Sequence, residues 1–294
     1  MTDAPRIALI GFGEVGQILA ADLKPTAAVI SAWDLLFANT DSGPSKAATD
    51  VRRGSDAADA VRDTSVVISA VTAAQTVEAA RSAAEGIEAD AFYLDLNSAS
   101  PAAKADAAEL IETAGGRYVE AAVMSPVPPK RLTSPILLGG PCAEAFLPVA
   151  QALGFSGARV FSSELGKASA AKMCRSVMVK GIEALLAESL ITARGYRVEA
   201  DVLASLDDLL PGPDWPKLAR YMISRSLQHG VRRAEEMREA AKTVEDAGLD
   251  PHMSAATAER QAWAANFAAA LSQDDLNALL DAIREQIDLK GRAA

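Results

Sequence analysis

The stretch "RIALIGFGEVG", Arg6–Gly16, constrains the fold of this chain more than any other. Ile7–Ile10 form an unbroken apolar run, which reads as a strand buried on both faces. Gly11, Gly13 and Gly16 follow at once in the order G-x-G-x-x-G, at the head of a helical pattern. In such a turn the first glycine allows the sharp bend, the second lets backbone approach a pyrophosphate, and the third lets helix pack on strand. The helix N-terminus then offers free N–H groups and a partial positive charge to the phosphates. Asp34 ends a second apolar run, Ala27–Asp34, closing a βαβ unit of about 30 residues with an acid suited to ribose hydroxyls. A dinucleotide site is therefore expected at Gly11, Phe12, Gly13, Glu14, Val15, Gly16 and Asp34, with Val71, Thr72 and Asn97 added from the strand ends that follow. A carboxylate at Asp34 repels a 2′-phosphate, and no arginine follows it until Arg52, so NAD is the expected cofactor and NADP the second choice.

Further apolar runs at Ser65–Val71, Ala91–Leu96, Tyr118–Met124 and Ser134–Gly140 alternate with alanine-rich helical patterns at Thr72–Glu85 and Pro101–Thr113. The alternation predicts an α/β fold, a Rossmann-like doubly wound parallel sheet over residues 1–165. After about Phe161 the strand pattern stops, and residues 166–294 read as an all-helical C-terminal domain. There Ile182, Leu185, Leu186 and Leu190 share a helix face, with Gly195 as the expected C-cap. Val231, Ala234, Met237, Ala241 and Val244 mark another helix that ends at Gly248, and Asp250-Pro251 suits the start of the next. The three prolines of Leu209–Lys217 predict a loop or turn.

Composition narrows the function classes. A chain of 294 residues, half of them hydrophobic, can bury two cores, and its net charge of -10 argues against a general nucleic-acid surface. No apolar run reaches the roughly 18 residues of a membrane span, and the N-terminus lacks the basic start of a signal peptide, so a cytoplasmic location is expected. Cys142 and Cys174 are too few for a disulfide framework or a thiolate metal site and read as small core residues. His229 and His252 have no companion ligand in the sequence, and no metal is expected. Small-molecule chemistry is what remains.

The motifs "GFGEVG", "DLNSASP" (Asp95–Pro101), "EAAVMSPVP" (Glu120–Pro128) and "GKASAAK" (Gly166–Lys172) occur in the order and rough spacing of the β-hydroxyacid dehydrogenases, and the chain resembles that family. Its members include 3-hydroxyisobutyrate, tartronate-semialdehyde and 6-phosphogluconate dehydrogenases. The C-terminal stretch from His229 to Met253 looks like a branch whose last domain is of the phosphogluconate dehydrogenase type. The resemblance implies that Lys172 is the catalytic lysine, in the pattern G-x-G-x-x-x-K-x-x-x-N; Gly166 matches, whereas Ala168 and Ser176 do not. It also implies that Asn97, Ser98, Ser125 and Ser176 hold the substrate, and that Glu188 stands where the family often has a helix glutamate. Homodimers with interdigitated C-terminal helices are the implied assembly.

The implied chemistry needs one group to take the hydroxyl proton when hydride leaves an alcohol carbon. An ammonium becomes a usable base only when its pKa falls, which an apolar helix face and a nearby nicotinium charge both favour. Lys172 stands among Ala168, Ala171, Met173 and Val179, while Lys167, Arg175 and Lys180 are read as solvated or ion-paired on other faces. Arg232, Arg233 and Trp215 are weaker candidates for closing over an anionic substrate. The reading at this stage is an NAD(P)-dependent oxidoreductase acting on a small β-hydroxy acid or its carbonyl counterpart. An imine reductase of the same architecture, a group that lacks the lysine, and a non-catalytic dinucleotide-binding regulator are the alternatives.

Overall fold

The computed structural model describes residues 4–293. Eight strands form one sheet: β1 (Arg6–Ile10), β2 (Val29–Trp33), β3 (Arg52–Arg53), β4 (Val66–Ser69), β5 (Phe92–Asp95), β6 (Arg117–Val123), β7 (Ile136–Gly139) and β8 (Ala158–Ser162). Their order across the sheet is β3-β2-β1-β4-β5-β6-β7-β8. Seven helices accompany them: α1 (Glu14–Leu23), α2 (Gly43–Ala47), α3 (Ala57–Val61), α4 (Thr76–Ala84), α5 (Pro101–Thr113), α6 (Val127–Lys130) and α7 (Ala143–Ala152). Then follow α8 (Lys167–Tyr196), α9 (Glu199–Leu209), α10 (Trp215–Asp246), α11 (His252–Ala264) and α12 (Leu276–Ala293). The chain divides into two compact units, residues up to Met173 and residues from Cys174, a division that falls within α8.

In the first unit the two-residue period of the strands separates two cores. Ile7, Leu9, Ile68 and Leu94 join a cluster with Leu19, Leu23 and Phe146 of the helices. Ala8, Ile10, Val67 and Tyr93 instead meet Val61, Ala80 and Ile111. Every neighbouring pair of strands is parallel except β6 and β7. The Rossmann-like doubly wound sheet expected from the sequence is present, mostly parallel, with β6 and β7 as its one antiparallel pair. The connection Met124–Pro135 holds only short helical turns, too little for a crossover back to the same end of the sheet. Two strands escape the pattern of apolar runs. β3 is a two-residue edge of exposed arginines, and β8 is buried only at Ala158 and then alternates exposed and half-buried residues.

The second unit gathers Leu186, Leu190, Ile223, Leu227, Leu279, Leu280 and Ile283 into its own core. Gly230 allows the close approach of α10 and α11, since a Cβ there would lie 2.2 Å from the Gln261 carbonyl oxygen. Gly248 takes a left-handed φ of +83° and ends α10 as expected, but Gly195 is no C-cap: α8 runs on to Tyr196, and Arg197 adopts the left-handed φ of +62°. Within Leu209–Lys217 the break is shorter than expected, because Asp214 accepts a hydrogen bond from the Lys217 amide and starts α10 with Pro216 in its first turn. Cys142 is half-buried and packs against the core of the first unit, whereas Cys174 is exposed and is no core residue. No helix among the described residues is long and apolar enough to cross a membrane.

One buried charge pair fixes the end of β5. Asp95 and Lys104 are both fully buried and 2.8 Å apart; the Lys104 ammonium also donates to the Asp95 carbonyl at 2.9 Å, and the Tyr118 hydroxyl donates to Asp95 Oδ2 at 2.7 Å. Asp95, part of the "DLNSASP" motif, therefore faces inward. Removing one member of such a pair leaves an uncompensated charge, so Lys104→Met is predicted to lower unfolding stability by about 3–5 kcal/mol in a denaturant titration. A midpoint within experimental error of wild type would refute this role.

Candidate active site

The carboxyl ends of the parallel strands β1, β4, β5 and β6 share one edge of the sheet, and the chain reverses its winding direction between β1 and β4. Ligands of open α/β sheets bind at such an edge. Gly11 leaves β1 with a φ of +94°, and a Cβ on it would stand 2.4 Å from the Ala70 carbonyl oxygen. A Cβ on Gly16 would lie 2.2 Å from the Gly11 carbonyl oxygen, so both positions require glycine for packing. Gly13, which caps α1, has open space where a Cβ would be. That opening, beside the free amides at the start of α1, fits a pyrophosphate.

Around this loop the other expected contacts fall into place to differing degrees. Phe12 is buried, Glu14 exposed, and Val15 half-buried against the core. Asp34 follows β2; its Oδ2 accepts the Phe12 amide at 2.6 Å and its Oδ1 the Leu36 amide at 2.8 Å. The carboxylate thus shapes the glycine loop, and each oxygen keeps lone-pair capacity toward a ribose. Arg52 is turned away to Asp59, but the Arg53 guanidinium lies 4.5 Å over the Phe37 ring, which itself packs edge-on against Phe12. Val71 is half-buried and Thr72 exposed after β4. Asn97 is buried and clasps the neighbouring strand end: its Oδ1 accepts the Val71 amide at 2.7 Å and its Nδ2 donates to Ser69 Oγ at 2.9 Å.

Lys172 meets this edge. Its Nζ donates to Ser98 Oγ at 2.5 Å, and both residues are half-buried. What sets this geometry went unread in the sequence: Glu120, on β6, is fully buried and accepts the Gly166 amide at 2.8 Å and the Ser169 amide at 2.5 Å. A carboxylate at a helix N-terminus satisfies orphan amides and complements the dipole. Ala168 then packs on Ala122 and Leu137. Glu120 opens the "EAAVMSPVP" motif, and the charged residue within an apolar strand was the sign of its structural task. Ser125, beyond β6, donates its hydroxyl to the Pro126 carbonyl at 3.2 Å. Lys167 is exposed and reaches Glu164.

In the second unit Ser176 is buried and accepts from Lys180 Nζ at 3.1 Å; Lys180, itself buried, pairs with Glu236 at 2.7 Å. Glu188 pairs with Arg260 at the surface, consistent with a structural task. Trp215 is buried, with its indole N–H donated to the Leu210 carbonyl at 3.3 Å. Arg232 pairs with Glu236 along α10, as a surface pair would, whereas Arg233 is buried and bonds Glu183 of α8. Burial, followed by the charges of Arg225, Arg232 and Arg233, pushes the His229 pKa down to about 4. Among the described residues no group of three or more His, Cys, Asp or Glu side chains is placed to hold a metal ion.

Comparison with known proteins agrees with this architecture. Residues 6–166 match the NAD binding domain of 6-phosphogluconate dehydrogenase, and residues 193–264 match a domain of unknown function, DUF1932. A conserved hypothetical protein from Sinorhizobium meliloti is 37% identical, with 96% of this chain and 97% of that one covered and a TM-score of 0.73. MTH1747, a conserved protein of unknown function described as structurally similar to 3-hydroxyacid dehydrogenases, is 32% identical over 89% of this chain and 97% of its own, with a TM-score of 0.68. The 3-hydroxyisobutyrate dehydrogenase of Mycobacterium tuberculosis, at 19% identity over 95% of this chain and 99% of its own, shares the fold with a TM-score of 0.70. With its N-terminal domain matched over more than half the chain and a relative this similar along nearly all of it, the protein belongs to the β-hydroxyacid dehydrogenase family.

Proposed function

We propose that this protein is an NAD-dependent dehydrogenase or reductase of a small β-hydroxy acid or its carbonyl counterpart, with Lys172 moving the proton. The observation that carries the reading is the Lys172–Ser98 hydrogen bond at the carboxyl edge of the sheet, on the edge that also carries the glycine loop. Bound at that loop, a nicotinamide dinucleotide would supply the hydride acceptor or donor. The residues of the chain supply the rest. In oxidation the Lys172 amine takes the proton of the substrate hydroxyl; in reduction the ammonium returns it to the carbonyl oxygen. Ser98 Oγ accepts one N–H of the lysine and so aims its head group, while the hydroxyls of Ser98 and Ser125 are the groups we assign to the substrate's carboxylate. Asn97, held between Val71 and Ser69, keeps the edge rigid for both partners.

If this reading holds, a screen of 3-hydroxy acids with NAD, followed by absorbance at 340 nm, should find a substrate. Lys172→Ala should then lower kcat by roughly 10² to 10⁴, with little change in cofactor affinity. Lys172→Arg should not restore turnover, because a guanidinium stays protonated. Lys167→Ala is the control, since that side chain is exposed. Near wild-type turnover in Lys172→Ala would remove the lysine from the mechanism.

The cofactor preference follows from Asp34. Its carboxylate stands at the end of β2, where a 2′-phosphate would meet a like charge, and Arg53 is already engaged with Ser45 and the Phe37 ring. Fluorescence titration should show NADH binding at least about tenfold more tightly than NADPH, a difference near 1.4 kcal/mol. Equal affinities, or tighter NADPH, would contradict the assignment.

A further inference from the structure

Residues of α9, the start of α10 and the first turn of α12 line an open cleft of about 630 Å³. Its wall lies wholly within the second unit, and none of its residues takes part in the reaction proposed above. Leu203, Trp215 and Leu276, all buried, supply the large apolar groups of the wall. Glu199, Asp207, Asp214 and Asp275 are its charged residues, and no lysine or arginine is among them. A volume of this order is what a small organic ligand fills.

The surroundings keep the same sign. Residues 194–220 carry five acids and four cations, and residues 273–281 add three acids and no cation. Of those cations Arg194 is shared between Glu199 and Asp281, and Arg220 donates to the Gln273 carbonyl and the Ser224 hydroxyl. Arg197 and Lys217 are exposed. Asp214 accepts the Lys217 amide at 3.1 Å and Asp275 the Ala278 amide at 2.9 Å, so each caps a helix with one oxygen and stays exposed, as Asp207 does. Glu199 differs, being only 8% exposed. One of its oxygens, Oε1, takes the Arg194 guanidinium, whereas Oε2 is buried without a hydrogen-bond partner. Its own backbone amide, followed by Arg194, holds the carboxyl below the usual range, so it is charged at neutral pH. A buried charged acceptor left open is costly, and a donor from a ligand would relieve that cost.

The spacing of the acids selects among cations. Among the described residues no three acids stand close enough to hold a metal ion. Carboxylates spread along an apolar cleft instead match a flexible chain with several ammonium groups, whose methylenes lie on Leu203, Trp215 and Leu276 while the charged heads reach the acids. Aliphatic amines are protonated at neutral pH and bring only donors.

We propose that this cleft binds a small aliphatic polyamine, its ammonium groups on Glu199, Asp207, Asp214 and Asp275 and its methylene chain on the apolar wall. The site is separate from the glycine loop and Lys172, and it stands whether or not the chain oxidises a hydroxy acid.

The test is calorimetric titration of the full chain at neutral pH with spermidine, and with pentylamine as the singly charged control. Spermidine should bind, more weakly as salt is raised, and pentylamine at least tenfold more weakly. Asp207→Asn removes one charge from an exposed position and should weaken spermidine about threefold, whereas Asp201→Asn, on α9 but outside the cleft wall, should leave it unchanged. Ala204→Trp keeps every charge, fills the cleft from an exposed position and should weaken spermidine at least tenfold with an unchanged circular dichroism spectrum. No binding of spermidine, equal binding of pentylamine, equal loss in Asp201→Asn and Asp207→Asn, or full affinity in a folded Ala204→Trp would overturn the proposal. A pentalysine peptide that binds more tightly than spermidine and loses as much in Ala204→Trp would overturn it too, by making the occupant a basic protein segment.

Discussion

The carboxylate of Glu120 is the constraint from which the candidate site follows. It sits fully buried on β6 and takes the amides of Gly166 and Ser169, so the first turn of α8 is tied to the sheet by a charge-assisted clamp. The clamp has its own requirement: a Cβ on Gly139 would stand 2.6 Å from Glu120 Oε2, and only glycine leaves the carboxylate its place. With the first turn held, Lys172 projects one turn later to Ser98 on the loop after β5. That loop is fixed in turn by Asp95, which Lys104 and Tyr118 hold inside the fold. The lysine and its hydroxyl partner are therefore positioned by two buried acids that touch neither.

The glycine loop is set in a similar way. Asp34 has been read as the acid for a ribose, but it also accepts the Phe12 amide from within the loop itself. One carboxylate thus serves the conformation of the loop and the sign of the potential around it. Gly11 and Gly16 are dictated by steric contact, and Gly13 by the space it leaves open. The same six-residue run carries both packing and binding, which is why so short a stretch constrains so much of the fold.

The strands of the inner sheet, α5 and the glycine loop were legible because buried parallel strands are continuous apolar runs and because the glycine motif has a fixed context, whereas Lys172 was singled out by the family resemblance. β3 and β8 were not, since an edge strand that is only partly covered loses that apolar continuity. The reversed β7 was hidden for another reason: strand direction depends on what the connection can span, and the pattern of β7 itself is silent on it. Glu120 and Asp95 stand in the sequence only as the first residues of two motifs, and their full burial, which no local pattern announces, is what makes them scaffold. In the helical unit, amphipathic spacing revealed the helices but not which arginines are buried; Arg232 and Arg233 are adjacent in sequence and differ in surroundings because the face of α10 turns by about 100° per residue.

The proposal that Lys172 exchanges a proton with substrate is tested most directly by the pH dependence of kcat/KM for oxidation, measured in wild type and in Lys172→Ala. A base that must be neutral to act gives a rate that rises with pH through its ionisation and then levels. The wild-type profile should show one such rise, and the residual activity of Lys172→Ala should lack it. An unchanged ionisation in Lys172→Ala would assign the proton to another group and contradict the account.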